Sequence, residues 1–240
     1  MPDVPVFNVG MPWPQYEADY NAREVEPYYV KYIVEQLRGL VAFMEKHTGH
    51  KMDWDKLGEL VAITDKTWNL IWDTYDLRRH KPTPMDTGDA MNTMVPIAFL
   101  MGTPQAYDFF LELQAELKEK IARGEGVVKD EKYRLLWGGG LPSWFALSDF
   151  DYFHDRGAVF PAETTYRTIE NIREFDMDLA KINDPLEHIA WRWVKFWTFW
   201  YKAAQRRPGS SPDVEKLISI IEDYDIDGVV MHEAFSCRTW

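Results

Sequence analysis

The chain has 240 residues, of which 46% are hydrophobic and 15% aromatic, so it is long enough to bury a sizeable core. It carries 27 Lys and Arg against 39 Asp and Glu, and the formal charge of −12 disfavours nucleic acid and anionic membranes as partners. The sequence contains no run of 18 consecutive apolar residues, so no membrane span is predicted. The single cysteine, Cys237, excludes an intramolecular disulfide framework and is typical of a cytoplasmic protein.

The first half of the chain is predicted to be mainly helical. Residues 4–9 (VPVFNV) form an apolar run before Gly10 and are predicted to be a short buried strand. Helical spacing of apolar residues then continues to residue 127. The four predicted helices are one opened by Pro27, one capped by Asp53, one over 89–101 with a kink at Pro96, and one that starts at Thr103-Pro104.

The second half alternates strand-like and helical segments. The apolar runs at 133–137, 157–162 and 226–231 are predicted strands, with helices between them. Because this alternation favours parallel pairing, we expect an α/β fold: a helical segment followed by a partial Rossmann-like parallel sheet with covering helices. The expected divisions are the end of a preceding α/β lobe (1–14), a helical segment (15–127) and an α/β lobe incomplete at its C-terminus (128–240). Because an incomplete lobe is expected at each end, the sequence is predicted to be a piece of a longer protein.

Polar and glycine-rich segments follow each predicted strand at its carboxyl end, where open parallel sheets bind ligands. The first strand leads into Gly138-Gly139-Gly140 and then Ser143-Trp144, the second into Glu163, and the third into His232 and Cys237. The alternative is that these are ordinary polar loops and that the glycines only make a tight turn. Neither a GxGxxG nor a P-loop pattern is present, so nucleotide binding is not predicted.

Cys237 has two interpretations. It lies between Ser236 and Arg238, and a cationic neighbour favours the thiolate, which is the nucleophile and the metal ligand. A lone cysteine is otherwise a small buried apolar residue. One thiolate does not complete a zinc or iron–sulfur site, so a metal would need further ligands. The tryptophan-rich stretch at 191–200 is interpreted as core packing or a subunit interface rather than as a pocket.

Several segments, in order along the whole chain, resemble one family of enzymes. The segments are VPVFNVGMP, HTGHKMDWDKL, LRRHKPTPM, GTPQAYDFFLELQAELKEKIARGEG, EKYRLLWGGGLPSW, DRGAVFPAETTY and IDGVVMHEAFSCR. The chain resembles the 2-hydroxyacyl-CoA dehydratase and benzoyl-CoA reductase subunit family, and most of all the B-type subunits of ATP-dependent benzoyl-CoA reductases.

The resemblance implies a specific kind of assembly. Such subunits have two α/β lobes with helical insertions and pair with a homologous sister subunit. The pair binds an acyl-CoA thioester and [4Fe-4S] clusters held by cysteines. A separate ATP-hydrolysing iron–sulfur activator delivers low-potential electrons, and a ketyl or ring radical forms on the substrate.

The resemblance also assigns residues around a cluster. Cys237 matches the last cluster cysteine of the family, and Ser236 and Arg238 are then the neighbours that tune the cluster by hydrogen bonds and charge. The family's middle cysteine is expected near 191–204, where this sequence has none. A replacement ligand such as His232, an altered cluster or a diverged function are the alternatives.

The substrate pocket is expected at the same strand ends. Gly139, Ser143 and Trp144 are the expected substrate-binding residues. His232 is the candidate proton donor because imidazole titrates near neutral pH, and Glu163 is the alternative donor if burial raises its pKa.

Three functions follow as hypotheses. The first is a subunit that reduces an aromatic acyl-CoA of the benzoyl-CoA type by single electrons. The second is a 2-hydroxyacyl-CoA dehydratase subunit, with the same radical chemistry but loss of water. The third is a non-catalytic partner that lacks a cluster and acts by binding its sister subunit.

Overall fold

Five helices occupy the first half of the chain in the computed structural model, which describes residues 4–12, 22–139, 147–164, 177–204 and 212–232. They are α1 (Ala22–Thr48), α2 (Trp54–Asp76), α3 (Thr87–Met91), α4 (Met94–Phe99) and α5 (Pro104–Arg123). The second half contains α6 (Ser148–His154), α7 (Pro185–Ala204) and α8 (Pro212–Asp223), together with the strands β1 (Tyr133–Gly139), β2 (Ala158–Glu163) and β3 (Gly228–His232).

Local capping explains where two of the long helices begin and end. The Asp53 side chain accepts a hydrogen bond from the Lys56 N–H at 2.9 Å and starts α2. Thr103 caps α5 in the same way, with Pro104 in its first turn. At the other end of α5, Gly124 adopts the left-handed conformation with φ 66°. The predicted starts of these two helices are therefore confirmed.

Three predictions for the first half are wrong. Helix α1 begins at Ala22, five residues before the start predicted at Pro27. Residues 4–12 form no strand, and Val4 and Val6 are 72% and 74% exposed. Phe7 contacts the Phe43 ring on α1, at 5.5 Å between centroids, and Met11 packs against the cluster that α1 forms with α7. The single helix predicted over 89–101 is broken between α3 and α4, because Pro96 has no N–H to bond the Asn92 carbonyl in a continuous helix.

Apolar faces join the helices in two separate clusters. Trp68 and Ile71 of α2 pack against Phe110 and Leu117 of α5. Helix α1, which begins five residues before Pro27, packs against α7 through the second cluster, whose buried members are Val30, Ile33, Ala190 and Val194. Trp191 and Trp193 lie partly buried against that cluster, which agrees with their interpretation as core packing. Every helix within the described ranges is too short or too polar to cross a membrane.

The three strands form a parallel sheet in the order β2-β1-β3, so the predicted α/β fold and the parallel pairing are confirmed. Neighbouring residues of β1 point to opposite faces. Leu136 packs with Ile220 of α8 and with Tyr224 just after it, whereas Trp137 packs with Phe150 of α6. Helices therefore cover both faces of the sheet. The proposed domain divisions stay a prediction.

Candidate active site

The carboxyl ends of the three strands meet at one edge of the sheet. Gly139 of β1 lies opposite His232 of β3, and Trp137 lies opposite Glu163 of β2. Gly139 has φ 87°, and a Cβ atom built on it would lie 2.2 Å from the His232 carbonyl oxygen. The close approach of β1 and β3 at this edge thus requires glycine at position 139.

Thr164, the residue after β2, fastens β2 to β1. Its backbone N–H donates to the Trp137 carbonyl at 3.0 Å. Its hydroxyl oxygen accepts from the Gly139 N–H at 3.1 Å and lies 3.3 Å from the Gly139 carbonyl oxygen. The position of Gly139 therefore depends on the end of β2 as well as on β3.

His232 is half-buried at this edge. Its ring lies against the Trp137 indole, with 5.4 Å between centroids and an interplanar angle of 32°. Its Nδ1 atom is buried and has no hydrogen-bond partner among the residues that the structure describes. This nitrogen is the polar atom at the edge that a substrate or a further segment of the protein would have to satisfy.

Glu163 is completely buried and forms a salt bridge. Its Oε2 atom lies 2.7 Å from Arg78 Nη2 and accepts a hydrogen bond from the Thr87 hydroxyl at 2.9 Å. Its Oε1 atom has no hydrogen-bond partner within the described part of the chain. Glu163 thus joins the end of β2 to residues that lie 76 and 85 positions earlier.

Arg78 is buried in the short 3-10 turn that follows α2. Burial by itself lowers the pKa of the guanidinium, but the charge and hydrogen bond of Glu163 outweigh it, so the pKa is raised above its ordinary value. The backbone around Arg78 is held by Arg134 of β1. Arg134 donates from Nη2 to the Arg78 carbonyl at 3.2 Å and from Nε to the Tyr224 carbonyl at 2.8 Å.

A second charged contact lies next to this network. His154 Nε2 of α6 is 2.6 Å from Asp86 Oδ2, and Asp86 also caps α3, the helix that carries Thr87. The hydrogen bond to Asp86 raises the pKa of His154, although partial burial opposes the shift. The Asp86 and Asp151 charges raise it further. The contact therefore joins α6 to α3.

The His154 contact predicts a pH-dependent stability. Because the folded-state pKa of His154 is raised above its ordinary 6.5, its contribution is complete below pH 6.5 and is lost as the pH rises through the folded-state pKa. We expect His154→Gln to cost at most about 1 kcal/mol below pH 6.5, because solvent reaches the side chain, and less at higher pH. Urea denaturation between pH 5.5 and 9 would measure this, with the exposed His50→Gln as control. A cost that grows with pH would contradict the assignment.

Five of the sequence-predicted site residues lie outside the described residues, so their placement stays a prediction. They are Ser143, Trp144, Ser236, Cys237 and Arg238. The first two follow β1 in the chain and the other three follow β3. Within the described ranges, no three His, Cys, Asp or Glu side chains lie together as a metal site would need.

Arg78 and Thr87 were missed by sequence reasoning. Arg78 stands in LRRHKPTPM beside Arg79, and no local pattern distinguishes the buried arginine from its neighbour, which is 40% exposed. The contact between Arg78 and Glu163 becomes visible only in the folded structure, where the end of β2 lies next to Arg78. The residues brought together at the site are thus Gly139, Glu163 and His232 from the prediction, joined by Arg78 and Thr87.

Comparison with known proteins identifies the family. The model of the 2-hydroxyglutaryl-CoA dehydratase D-component family matches residues 1–240. The chain belongs to this family. Its match covers both the helical segment and the parallel sheet.

Three curated relatives are similar to this family member. The B-type subunit of benzoyl-CoA reductase from Thauera aromatica is 28% identical over 87% of the chain and 48% of that protein. The alpha subunit of (R)-2-hydroxyglutaryl-CoA dehydratase from Acidaminococcus fermentans is 22% identical over 99% of the chain and 45% of that protein. The alpha subunit of lactoyl-CoA dehydratase from Anaerotignum propionicum is 25% identical over 98% and 50%. The chain thus spans about half the length of the curated relatives it matches.

Proposed function

We propose that this chain is part of a subunit of an iron–sulfur enzyme that reduces an aromatic acyl-CoA, of the benzoyl-CoA type, by single-electron radical chemistry. The observation that carries the proposal is the whole-chain match to the D-component family, together with the 28% identity to a benzoyl-CoA reductase subunit. The convergence of Gly139, Glu163 and His232 at one sheet edge supports a site there.

A [4Fe-4S] cluster would supply the single electrons. Cys237 is the proposed ligand from this chain, and Ser236 and Arg238 would tune the cluster through hydrogen bonds and charge. The described residues alone do not fit such a group, because no three candidate ligands come together among them. The remaining ligands would therefore come from elsewhere in the enzyme.

His232 is the proton donor that the geometry favours. It lies at the sheet edge with a buried Nδ1 that no described residue satisfies, and imidazole exchanges protons near neutral pH. Glu163 is the alternative donor, but its Oε2 atom is already engaged by Arg78 and by the Thr87 hydroxyl. Gly139, Ser143 and Trp144 would contact the substrate beside it.

The proposed partners are a homologous sister subunit and an ATP-hydrolysing iron–sulfur activator. The three relatives named above are each a subunit of a larger enzyme, which supports a subunit role for this chain. The acyl-CoA thioester is the proposed substrate.

The proposal is tested first by the metal content. The full-length protein is co-expressed anaerobically with its candidate sister subunit, and iron and acid-labile sulfide are measured for the native protein, for Cys237→Ala and for the control Thr48→Ala on the surface of α1. We expect iron in the native protein and the control and its loss in Cys237→Ala, because the thiolate is the ligand. Equal iron in all three proteins would contradict the role of Cys237.

A dehydratase subunit is the second candidate. It is favoured by the alignments to two dehydratase alpha subunits over 98% and 99% of the chain. Assays of the complex with ATP and the activator, on benzoyl-CoA and on a 2-hydroxyacyl-CoA, distinguish the two reactions. Reduction of benzoyl-CoA supports the first proposal, and loss of water from the hydroxyacyl thioester supports the second. A complex that forms without iron and acts on neither thioester would indicate the non-catalytic partner.

A further inference from the structure

We infer that Arg78 is a positioning residue, which holds the carboxyl end of β2 and, through it, the strand edge that carries His232. The inference deepens the proposed function, and its consequence for turnover rests on that function. Its consequence for the structure of the edge does not.

One nitrogen of the Arg78 guanidinium lies within hydrogen-bond distance of three acceptors, two on β2 and one on α3. Its Nη2 atom lies 2.7 Å from Glu163 Oε2, 3.1 Å from the Phe160 carbonyl oxygen and 3.1 Å from the Thr87 hydroxyl. The Thr87 hydroxyl also lies 2.9 Å from the Phe160 carbonyl oxygen, so α3 takes part in the same network. Both the backbone and the last side chain of β2 are thereby fixed.

Hydrogen bonds from Thr164 couple the end of β2 to β1, and β1 lies next to His232. Glu163 is followed by Thr164, whose hydroxyl and N–H bond to Gly139 and Trp137 of β1. Gly139 in turn lies opposite His232, with no room for a side chain between them. A shift of Glu163 therefore displaces the backbone against which His232 is placed.

Stability alone does not account for a buried charged pair at this place. Arg78 and Glu163 are 1% and 0% exposed, and the cost of removing two such charges from water approaches or exceeds their attraction. Packed apolar side chains would hold the fold at least as well. What the pair adds is direction, because the rigid guanidinium plane holds Nη2 among its three acceptors, whereas the ammonium group of a lysine sits on a flexible stem.

The test separates charge from direction. Arg78→Lys keeps a positive charge next to Glu163, so a structural counter-charge is retained while the rigid guanidinium plane that holds Nη2 is lost. The adjacent Arg79→Lys, at a half-exposed side chain, is the matched control. Hydrogen–deuterium exchange of the peptides covering 133–139 and 158–164 is measured in the full-length complex, together with kcat and KM for the thioester.

We expect Arg78→Lys to speed exchange in these peptides about tenfold or more, because the end of β2 is less well held. In a complex that turns over either thioester, we expect kcat to fall by about 10²-fold while KM changes little, because the reacting groups are displaced rather than removed. Arg79→Lys leaves both readouts unchanged.

Wild-type exchange and wild-type kcat in Arg78→Lys would overturn the inference and make Arg78 a counter-charge for Glu163. If the native complex acts on neither thioester, the proposed function fails, and the exchange measurement alone decides whether Arg78 positions the edge. Faster exchange in Arg78→Lys would then support it, and unchanged exchange would overturn it.

Discussion

Replacement of Arg78 with Met is expected to lower the free energy of unfolding by about 3–5 kcal/mol, because it leaves the Glu163 carboxylate buried without its counter-charge. The change keeps most of the apolar volume of the side chain, so the loss reports the charge and its hydrogen bonds rather than a cavity. The Phe160 carbonyl and the Thr87 hydroxyl lose a donor at the same time. Urea denaturation of the full-length protein measures the effect.

Two further variants make this prediction specific. Arg79→Met removes an arginine that is 40% exposed and pairs with Asp76 and Asp223 at the surface, and we expect a loss of at most about 1 kcal/mol. In Arg78→Met combined with Glu163→Leu, both charges are gone, and we expect most of the stability to return. If Arg78→Met costs no more than Arg79→Met, the buried pair does not contribute as the structure indicates.

The sheet was predictable because its strands are short apolar runs separated by helices. The predicted runs at 133–137, 157–162 and 226–231 appear as β1, β2 and β3, which differ from them by at most two residues at either end. Parallel pairing follows from the intervening helices, and it is the pairing that places Gly139, Glu163 and His232 at a common edge. The sequence was thus sufficient for the parallel pairing that brings the strand ends together, whereas the strand order β2-β1-β3 comes from the structure.

The predictions that were wrong or incomplete depend on contacts between distant segments. Residues 4–9 have the composition of a strand, but they pair with no strand among the described residues; Val4 and Val6 are exposed, and Phe7 packs on the Phe43 ring of α1. Arg78 lies in a strongly basic segment, which in a sequence is typical of a solvated surface. Its burial becomes evident only when β2 brings Glu163, 85 residues later, next to it.

Replacement of Gly139 with Ala is expected to cost about 3 kcal/mol, the sum of two effects. The residue has φ 87°, and a left-handed conformation costs a non-glycine residue about 1–2 kcal/mol. In addition, the new Cβ would lie 2.2 Å from the His232 carbonyl oxygen and 3.4 Å from its backbone nitrogen, and such overpacking costs about 1–3 kcal/mol. Because the new Cβ would meet backbone atoms of His232 rather than a flexible side chain, β3 has to move away from β1.

Gly124→Ala separates the two effects. Gly124 also has a positive φ, 66°, but nothing lies within 4 Å of a Cβ atom built on it, so its cost of about 1–2 kcal/mol comes from the backbone conformation alone. The excess cost of Gly139→Ala then measures the close approach of β1 and β3. We expect that excess to be accompanied by faster amide exchange in 228–232 and, if His232 is the proton donor as proposed, by loss of turnover. Equal costs for the two variants would show that the strands at the carboxyl edge move apart at little cost, and such an edge would not fix the position of His232, the proposed proton donor.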